Sequence, residues 1–280
     1  MILEFSIKNF LSFKEKATFS MICDTLKGLD DNYIIIGDKK ILKSAAIYGA
    51  NASGKSNLFR VLSLVVMMLR TSNNYDINAQ LPIVPFKFQT KSTVEPSEFE
   101  IKFILNEIRY VYGFVADCNK IYEEYLYYYP NGRETKIFDR TNVNSYSYSQ
   151  KDERILKEIE NKNAQNKFFL ATATNWNYAK TKPVYDFLTN RINICNNLEA
   201  LKNMAYQEYE ANSKDLKKFA IEFLQKADFN IEDYQISKVN VPQEFLNGLP
   251  DFMIKTLPEK PKVYQVLFKH KNSDNYLSID

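Results

Sequence analysis

The sequence predicts an α/β fold with an antiparallel β lobe and a helical insertion. Three patterns favour this class. Residues 44–48 are apolar and precede a glycine-containing loop and a helical repeat, residues 99–140 alternate apolar and polar side chains, and residues 151–230 show helical spacing. We therefore expect a core with a β lobe over residues 1–140, a helical lobe over 141–240, and a return toward the core sheet over 241–280.

The first part of the chain supplies the elements of the predicted core. Residues 2–22 predict an antiparallel hairpin, because two runs alternate apolar and polar side chains around a polar connection. Ser44–Tyr48 is apolar on both faces, which is typical of a buried central parallel strand. Ser56–Arg70 carries its apolar residues at helical spacing. The predicted order is strand, loop and helix.

The later elements follow from local patterns. Residues 99–140 predict an antiparallel meander with turns at Asn106-Glu107 and at Pro130–Gly132, since Asn-Gly tolerates positive φ. Apolar spacing predicts helices around residues 155–159, 184–188 and 216–224. Residues 241–262 contain four prolines and predict a loop, and residues 263–268 predict a last strand.

Composition excludes several classes of protein. The 280 residues are 45% hydrophobic and 25% charged, which is the range of globular proteins rather than of disordered chains. The longest apolar run, Leu62–Leu69, contains Ser63 and is too short for a membrane span, which needs about 18–20 residues. The first residues lack the pattern of a secretory signal. We expect a cytoplasmic protein without membrane contact.

Cysteine, histidine and net charge add further limits. Cys23, Cys118 and Cys195 are far apart, which argues against a disulfide framework and against a zinc site. A single histidine, His270, leaves little for mechanisms that need a histidine base. A net charge of +3 is too small to imply nucleic-acid binding by itself.

One motif carries chemistry. Residues 49–56 read Gly-Ala-Asn-Ala-Ser-Gly-Lys-Ser and match the phosphate-binding pattern G-x-x-x-x-G-K-[ST]. The pattern uses two of only seven glycines in the chain, and it lies between a predicted strand and a predicted helix. The residues that we expect to bind the nucleotide are Gly49, Asn51, Ala52, Ser53, Gly54, Lys55, Ser56 and Asn57.

Each part of this P-loop has a physical role. Backbone N–H groups of the loop form a concave anion site, and glycines at 49 and 54 allow the close approach of the backbone. The N-terminus of the following helix favours negative charge. Lys55 should bridge the β- and γ-phosphates of ATP, and the Ser56 hydroxyl should ligate Mg²⁺.

Hydrolysis needs further groups. A P-loop ATPase also uses a carboxylate at the end of a buried strand and a group that activates water. The sequence offers no convincing match to this Walker B pattern; Asp280 ends an apolar stretch that Ser278 interrupts, and we expect it to have no special role. The catalytic residues therefore stay unknown.

The N-terminal residues and the P-loop together resemble a known clan. Residues 2–13, the Walker A motif of residues 49–58, and the strand pair of residues 99–114 resemble the ATPase heads of the ABC/SMC/RecF-like group, especially the AAA-type ATPases of the OLD/RloA-like bacterial group. The resemblance runs to about residue 140. It implies a P-loop NTPase of the ABC/SMC-like head type, of which this chain is an incomplete, N-terminal half, from truncation, gene interruption or a split protein.

The resemblance also implies an activity and partners. Such heads bind ATP and Mg²⁺, close face to face as dimers, and act in anti-phage defence or DNA maintenance, often with a nuclease or toxin partner. Their second half supplies a signature motif, a Walker B strand and a switch histidine, which this sequence lacks. Gln89 is the nearest candidate for the family's Q-loop glutamine, with a surface loop as the alternative. His270 lacks a preceding Walker B strand, so we expect it at the surface.

Two further groups of residues could contact nucleic acid. The tyrosine-rich run Tyr125–Tyr129 could stack on bases, although packing on a sheet face is the simpler interpretation. Lysines near the C-terminal end could meet phosphates or form a solvated rim. These lysines are Lys255, Lys260, Lys262, Lys269 and Lys271.

Three functions remain open from the sequence. The first is an ATPase head of the ABC/SMC-like clan. The second is a non-catalytic nucleotide-binding or interaction module that needs a missing half, and the absent Walker B motif favours it. The third is a small-molecule kinase, which is disfavoured because such kinases usually place the P-loop within the first ~20 residues, without a preceding antiparallel pair.

Overall fold

The structure is a computed structural model. The structure describes residues 1–23, 30–37, 39–51, 53–195, 198–211, 213–227, 230–241, 258, 261–271 and 276–278. The chain divides into two compact units, Met1–Ile194 and Cys195–Asp280. Among the described residues, no helix has both the length and the apolar character that crossing a membrane requires.

A seven-stranded antiparallel sheet forms the frame of the first unit. Its strands lie in the order β2-β1-β5-β6-β7-β8-β9. Their bounds are β1 Ile2–Lys8, β2 Ala17–Ser20, β5 Ser97–Leu105, β6 Ile108–Ala116, β7 Ile121–Tyr129, β8 Thr135–Thr141 and β9 Ser145–Tyr148. A separate hairpin pairs β3 Tyr33–Ile36 with β4 Lys39–Leu42. The predicted N-terminal hairpin and the predicted meander are both confirmed.

Tight turns set the register of the meander. Asn106 and Glu107 have φ values of 49° and 64°, and Gly132 has a φ of 74°, so both predicted turns use the left-handed region that Asn and Gly tolerate. The sheet contains more strands than the predicted meander, because β1 pairs with β5, with Phe5 opposite Ile101. This pairing joins the first hairpin to the meander in one sheet.

Helices cover one face of this sheet. They are α1 Lys55–Thr71, α2 Glu153–Glu160, α3 Phe169–Asn175 and α4 Lys182–Asp186, and α4 continues into a π-helical turn over Phe187–Arg191. A single core contains the apolar side chains of α1, α3 and the sheet. Phe103 of β5 stacks on Phe187 with ring centroids 4.5 Å apart. The helices predicted at 155–159 and 184–188 are confirmed, whereas the sequence did not predict α3.

The second unit is a small sheet with two helices. Its elements are α5 Leu198–Ala211, α6 Ser213–Lys226, β10 Ile231–Asn240, β11 Lys262–His270 and β12 Tyr276–Ser278. The strands pair antiparallel in the order β10-β11-β12. Tyr206 of α5 packs on Tyr264 of β11, with centroids 4.5 Å apart. The predicted helix at 216–224 and the predicted strand at 263–268 are confirmed, although β12 follows that strand. Most of the predicted proline-rich loop lies outside the described residues.

The prediction of a buried parallel strand at Ser44–Tyr48 is wrong. None of these residues belongs to a strand, most are exposed, and Tyr48 is 90% exposed. A central parallel strand is buried only when strands flank it on both sides. No described strand pairs with this segment. Its apolar composition therefore does not produce burial here.

Candidate functional site

The P-loop connects Ser44–Tyr48 to the long helix α1. Gly54 is the N-cap of α1 and has a φ of 94°, a conformation that glycine adopts without steric cost. The carbonyl of Gly54 accepts hydrogen bonds from the backbone N–H groups of Asn57 (2.9 Å) and Leu58 (3.2 Å). The first N–H groups of a helix have no partner within it, so the 17-residue helix presents donors and the positive end of its dipole at the loop.

Lys55 folds back over the loop. Its Nζ donates to the carbonyl oxygens of Gly49 (2.7 Å) and Ala50 (2.6 Å), and Ser53 Oγ lies 3.5 Å away. An ammonium group on a flexible stem can exchange these neutral acceptors for charged phosphate oxygens. The loop geometry thus places a cation where an anion would enter.

The loop itself is tightly wound. The N–H of Ser53 donates to the carbonyl of Ala50 at 3.3 Å. A Cβ on Gly49 would lie 3.0 Å from Ser53 Oγ, so glycine at this position permits the turn. Asn51 and Ser56 are exposed to solvent, and Ala52 lies outside the described residues. Seven of the eight predicted site residues are therefore described, and they lie in the loop before α1 and in the first turn of α1.

The connection between β1 and β2 forms a second wall of the site. Ser12 Oγ accepts a hydrogen bond of 3.0 Å from Asn57 Nδ2, and a Cβ on Gly54 would lie 2.7 Å from the same oxygen. Phe13 also lies beside Gly54. The turn is closed by two backbone hydrogen bonds between Phe10 and Phe13, of 2.8 and 2.9 Å.

Asn9 fixes this turn from within the protein. Its side chain is buried, and its Nδ2 donates to the carbonyls of Ser92 and Glu95, both at 2.8 Å. Its Oδ1 accepts from the N–H of Phe86 at 3.2 Å, and Ser97 Oγ donates to its carbonyl at 2.5 Å. These bonds stabilise Asn9 at a φ of 50°, so the turn that carries Ser12 is held by segments far away in sequence.

Sequence reasoning did not place Ser12 and Asn9 in the site. Both belong to residues 2–13, which resemble the opening strand of a family but carry no predicted role in the site. A left-handed asparagine between two short strands is a local signal for a tight turn. Their contact with the P-loop depends on tertiary packing, for which a single sequence contains no signal.

Other candidate residues lie elsewhere. Gln89 is exposed in a loop, and no hydrogen bond joins it to the described P-loop residues. His270 is partly buried at the end of β11, opposite Ile231. Lys269 pairs with Glu232 at 3.3 Å, Lys262 begins β11, and Lys271 directly follows it. Lys255, Lys260 and Asp280 lie outside the described residues.

The tyrosines of β7 are held by the sheet. Tyr125 Oη donates to Glu100 at 2.8 Å, and Tyr127 Oη donates to Asp139 at 2.6 Å. Burial and the hydrogen bond to Glu100 raise the pKa of Tyr125 above the usual range for a phenol. Tyr128 packs against the core on the opposite face of β7, beside Tyr110. Packing on a sheet accounts for these rings.

The oxygen donors of the site suit a Mg²⁺ ion that is bound partly by the phosphates of a nucleotide. Mg²⁺ prefers hard oxygen ligands and is commonly bound by one or two protein groups together with substrate phosphates. The exposed Ser56 hydroxyl in the first turn of α1 is a hard oxygen of this kind. Within the described part of the chain, no group of three or more His, Cys, Asp or Glu side chains could hold a metal ion.

Comparison with known proteins gives a family. No curated protein matches the chain. A family model described as "AAA domain, putative AbiEii toxin, Type IV TA system" matches residues 44–235, which is more than half of the chain. The match begins just before the P-loop and spans the β meander and the helices. The chain belongs to this AAA-domain family.

Proposed function

We propose that this AAA domain binds ATP with Mg²⁺ in the P-loop. The observation that carries the proposal is the position of Lys55, whose ammonium lies over the carbonyls of Gly49 and Ala50 at the start of α1. The proposed nucleotide-binding residues are Gly49, Asn51, Ala52, Ser53, Gly54, Lys55, Ser56 and Asn57. The coarser assignment, an AAA domain that binds nucleotide, follows from the family.

Each group of the site would have its own role in binding ATP. The N–H groups of the loop and of the first turn of α1 donate to phosphate oxygens, and the helix dipole favours their negative charge. Lys55 leaves the carbonyls of Gly49 and Ala50 and neutralises the β- and γ-phosphates. Bound Mg²⁺ would supply charge neutralisation between the same phosphates, and Ser56 would be its protein ligand.

The finer proposal is an ATPase head of the ABC/SMC-like type. The antiparallel pair β1–β2 supports it, because this pair precedes the P-loop and its connecting turn contacts Asn57 through Ser12. On this proposal residues 1–140 form the P-loop core with its β lobe, residues 141–240 a helical lobe, and residues 241–280 return toward the core sheet.

The process coupled to ATP is proposed from the family and the resemblance together. The family description names a toxin and a type IV TA system. We propose a role in anti-phage defence or DNA maintenance, with a homodimer of heads and a nuclease or toxin partner. Contact with nucleic acid is a separate part of this proposal, which gains no support from Lys269, paired with Glu232, or from the hydrogen-bonded tyrosines of β7.

A binding measurement tests the nucleotide site. Titration of the full chain with ATP and Mg²⁺ should give saturable binding, and Lys55→Ala should weaken it about 10- to 100-fold, since hydrogen bonds to charged groups contribute about 1.5–3 kcal/mol. Lys87→Ala, at an exposed position outside the loop, is the matched control and should bind as the natural chain does. Equal binding by the natural chain and Lys55→Ala would remove the proposal.

Turnover separates the head from the alternative. A non-catalytic nucleotide-binding module would bind ATP through Lys55 without hydrolysing it, and the absence of a recognisable Walker B motif favours this second candidate. Release of phosphate that depends on Lys55 would eliminate it. If this chain binds ATP without releasing phosphate, and a longer chain with the downstream sequence does release phosphate, the proposal of an incomplete head would be supported.

A further inference from the structure

We propose that Asn57 and Ser12 are a positioning pair that holds the P-loop in its binding shape, and that Asn57 acts through Ser12 rather than as a phosphate ligand. This inference rests on the proposed nucleotide site and assigns a role within it. The carrying observation is the 3.0 Å hydrogen bond from Asn57 Nδ2 to Ser12 Oγ. It joins the first turn of α1 to the turn between β1 and β2.

The pair encloses the last residue of the loop. Ser12 Oγ lies 2.7 Å from the position of a Cβ on Gly54, and Asn57 donates its backbone N–H to the Gly54 carbonyl at 2.9 Å. Gly54 is therefore next to both members of the pair. Because Gly54 sets the direction of the helix that follows, the pair controls where the first N–H groups of α1 point.

The turn is rigid enough to serve as a support. Leu11 N–H donates to the carbonyl of Val84 at 2.9 Å, which adds to the bonds that Asn9 makes with residues 86–97. Ser12 is thus attached to a part of the fold that does not depend on the loop. A support fixed independently of the loop can reduce the ordering that phosphate binding would otherwise require.

The hydrogen bond is exposed, and this decides how it can be detected. An exposed hydrogen bond exchanges with water at little net cost, so its loss should hardly change the free energy of unfolding. Nucleotide affinity is more sensitive to the geometry of the loop, because a phosphate-binding nest needs several N–H groups aimed at one point. Loss of the pair should therefore weaken nucleotide binding more than it weakens the fold.

A double-mutant cycle on nucleotide affinity tests the inference. The variants are Asn57→Ala, Ser12→Ala and the double variant, each titrated with ATP and with ADP in Mg²⁺. We expect each single variant to bind both nucleotides about three- to tenfold more weakly, because the N–H groups of the loop would no longer be aimed at one point. The double variant should bind no more weakly than the weaker single variant, because both substitutions remove the same bond.

Controls separate positioning from stability. Asn190→Ala removes a comparable exposed hydrogen bond, from Asn190 Nδ2 to Asp186 at 3.0 Å, and should leave affinity unchanged. Urea unfolding should give nearly the same midpoint for all variants. A lower midpoint with unchanged affinity would show a structural role only and would overturn the inference.

The remaining outcomes distinguish this inference from the proposed function. If Lys55→Ala binds ATP as tightly as the natural chain, the nucleotide site itself fails. If binding depends on Lys55 but both single variants bind normally, only the positioning pair fails. If Asn57→Ala loses as much affinity as Lys55→Ala while Ser12→Ala loses none, Asn57 ligates phosphate directly and the inference is wrong.

Discussion

Ser12 closes the space beside Gly54. A Cβ on Gly54 would lie 2.7 Å from Ser12 Oγ, closer than real Cβ contacts occur, and Gly54 has a left-handed φ of 94°. The left-handed backbone conformation therefore favours glycine at this position, and a Cβ would in addition displace the Ser12 hydroxyl. The second glycine of the P-loop motif thus has a structural reason that is independent of ligand binding.

Gly54→Ala should destabilise the protein and weaken ATP binding together. The left-handed conformation costs a residue with a Cβ about 1–2 kcal/mol, and the contact with Ser12 adds to this. Replacing Ser12 by glycine in the same chain should recover the steric part of the loss and leave the conformational part. Urea unfolding of the two single variants and the double variant measures both parts.

Gly132 provides the matched control for this prediction. It has a φ of 74° with no heavy atom within 4 Å of its Cβ position, so Gly132→Ala should show the conformational cost alone. Equal losses at Gly54 and Gly132, unchanged by the Ser12 substitution, would contradict a steric role for Ser12.

Gly113 allows one side chain to cross a strand. Glu100, Gly113 and Tyr125 are neighbours in one row across β5, β6 and β7. The ring of Tyr125 lies over Gly113, and its hydroxyl donates to Glu100 at 2.8 Å. A Cβ on Gly113 would lie 2.4 Å from both Cζ and Oη of Tyr125. The missing side chain on β6 is what lets β5 and β7 form this contact.

Gly113→Ala should lower the free energy of unfolding by about 1–3 kcal/mol, the usual cost of overpacking. In a Tyr125→Ala background the same change should be neutral or stabilising, because glycine within a strand is less stable than alanine by about 0.5–1 kcal/mol. Chemical denaturation of the four chains completes the cycle. A destabilisation by Gly113→Ala that persists without the Tyr125 ring would refute the steric explanation.

The sequence predicted the parts of the fold whose signal is local. Alternation identified the strands of the meander, and the turn at Asn131-Gly132 gave one of its connections. The pairing of β1 with β5 joins residues about 90 positions apart, and no local pattern records it. For the same reason the P-loop was found as one contiguous motif, whereas the contact of Ser12 with Asn57 was not.

Ser44–Tyr48 shows the opposite error. Its apolar residues have the composition of a buried strand, and composition alone suggested burial. A strand is defined by its partners, and none of the described strands lies beside this segment. Strand pairing depends on the folded sheet. Composition therefore indicates that this segment favours a buried strand, but it does not indicate whether a partner strand lies beside it.

Glu124 and Arg140 form a fully buried pair that fastens the helices to the sheet. They face each other on β7 and β8, with 3.9 Å between Arg140 Nη1 and Glu124 Oε2. Glu124 accepts the N–H groups of Phe169 (2.5 Å) and Leu170 (2.9 Å) at the start of α3. Arg140 donates to four backbone carbonyls, those of Val143, Ala164, Gln165 and Lys167. The pair thus satisfies backbone N–H groups at the start of α3 and backbone carbonyls in the segment before α3 and in the turn after β8.

Arg140→Met should reduce the free energy of unfolding by about 3–5 kcal/mol, because it leaves the buried carboxylate of Glu124 without its counter-charge. Burial already raises the pKa of Glu124, and Arg140 opposes that rise. Without Arg140 the pKa of Glu124 should rise further, so the folded variant binds a proton and loses stability as pH rises through that pKa. Urea unfolding at pH 5 and pH 8 should therefore show a larger deficit at pH 8. Arg191→Met, which removes an exposed pair with Asp186 at 3.1 Å, should show no measurable deficit at either pH. Equal, pH-independent effects of the two substitutions would mean that the buried charge of Glu124 does not need Arg140.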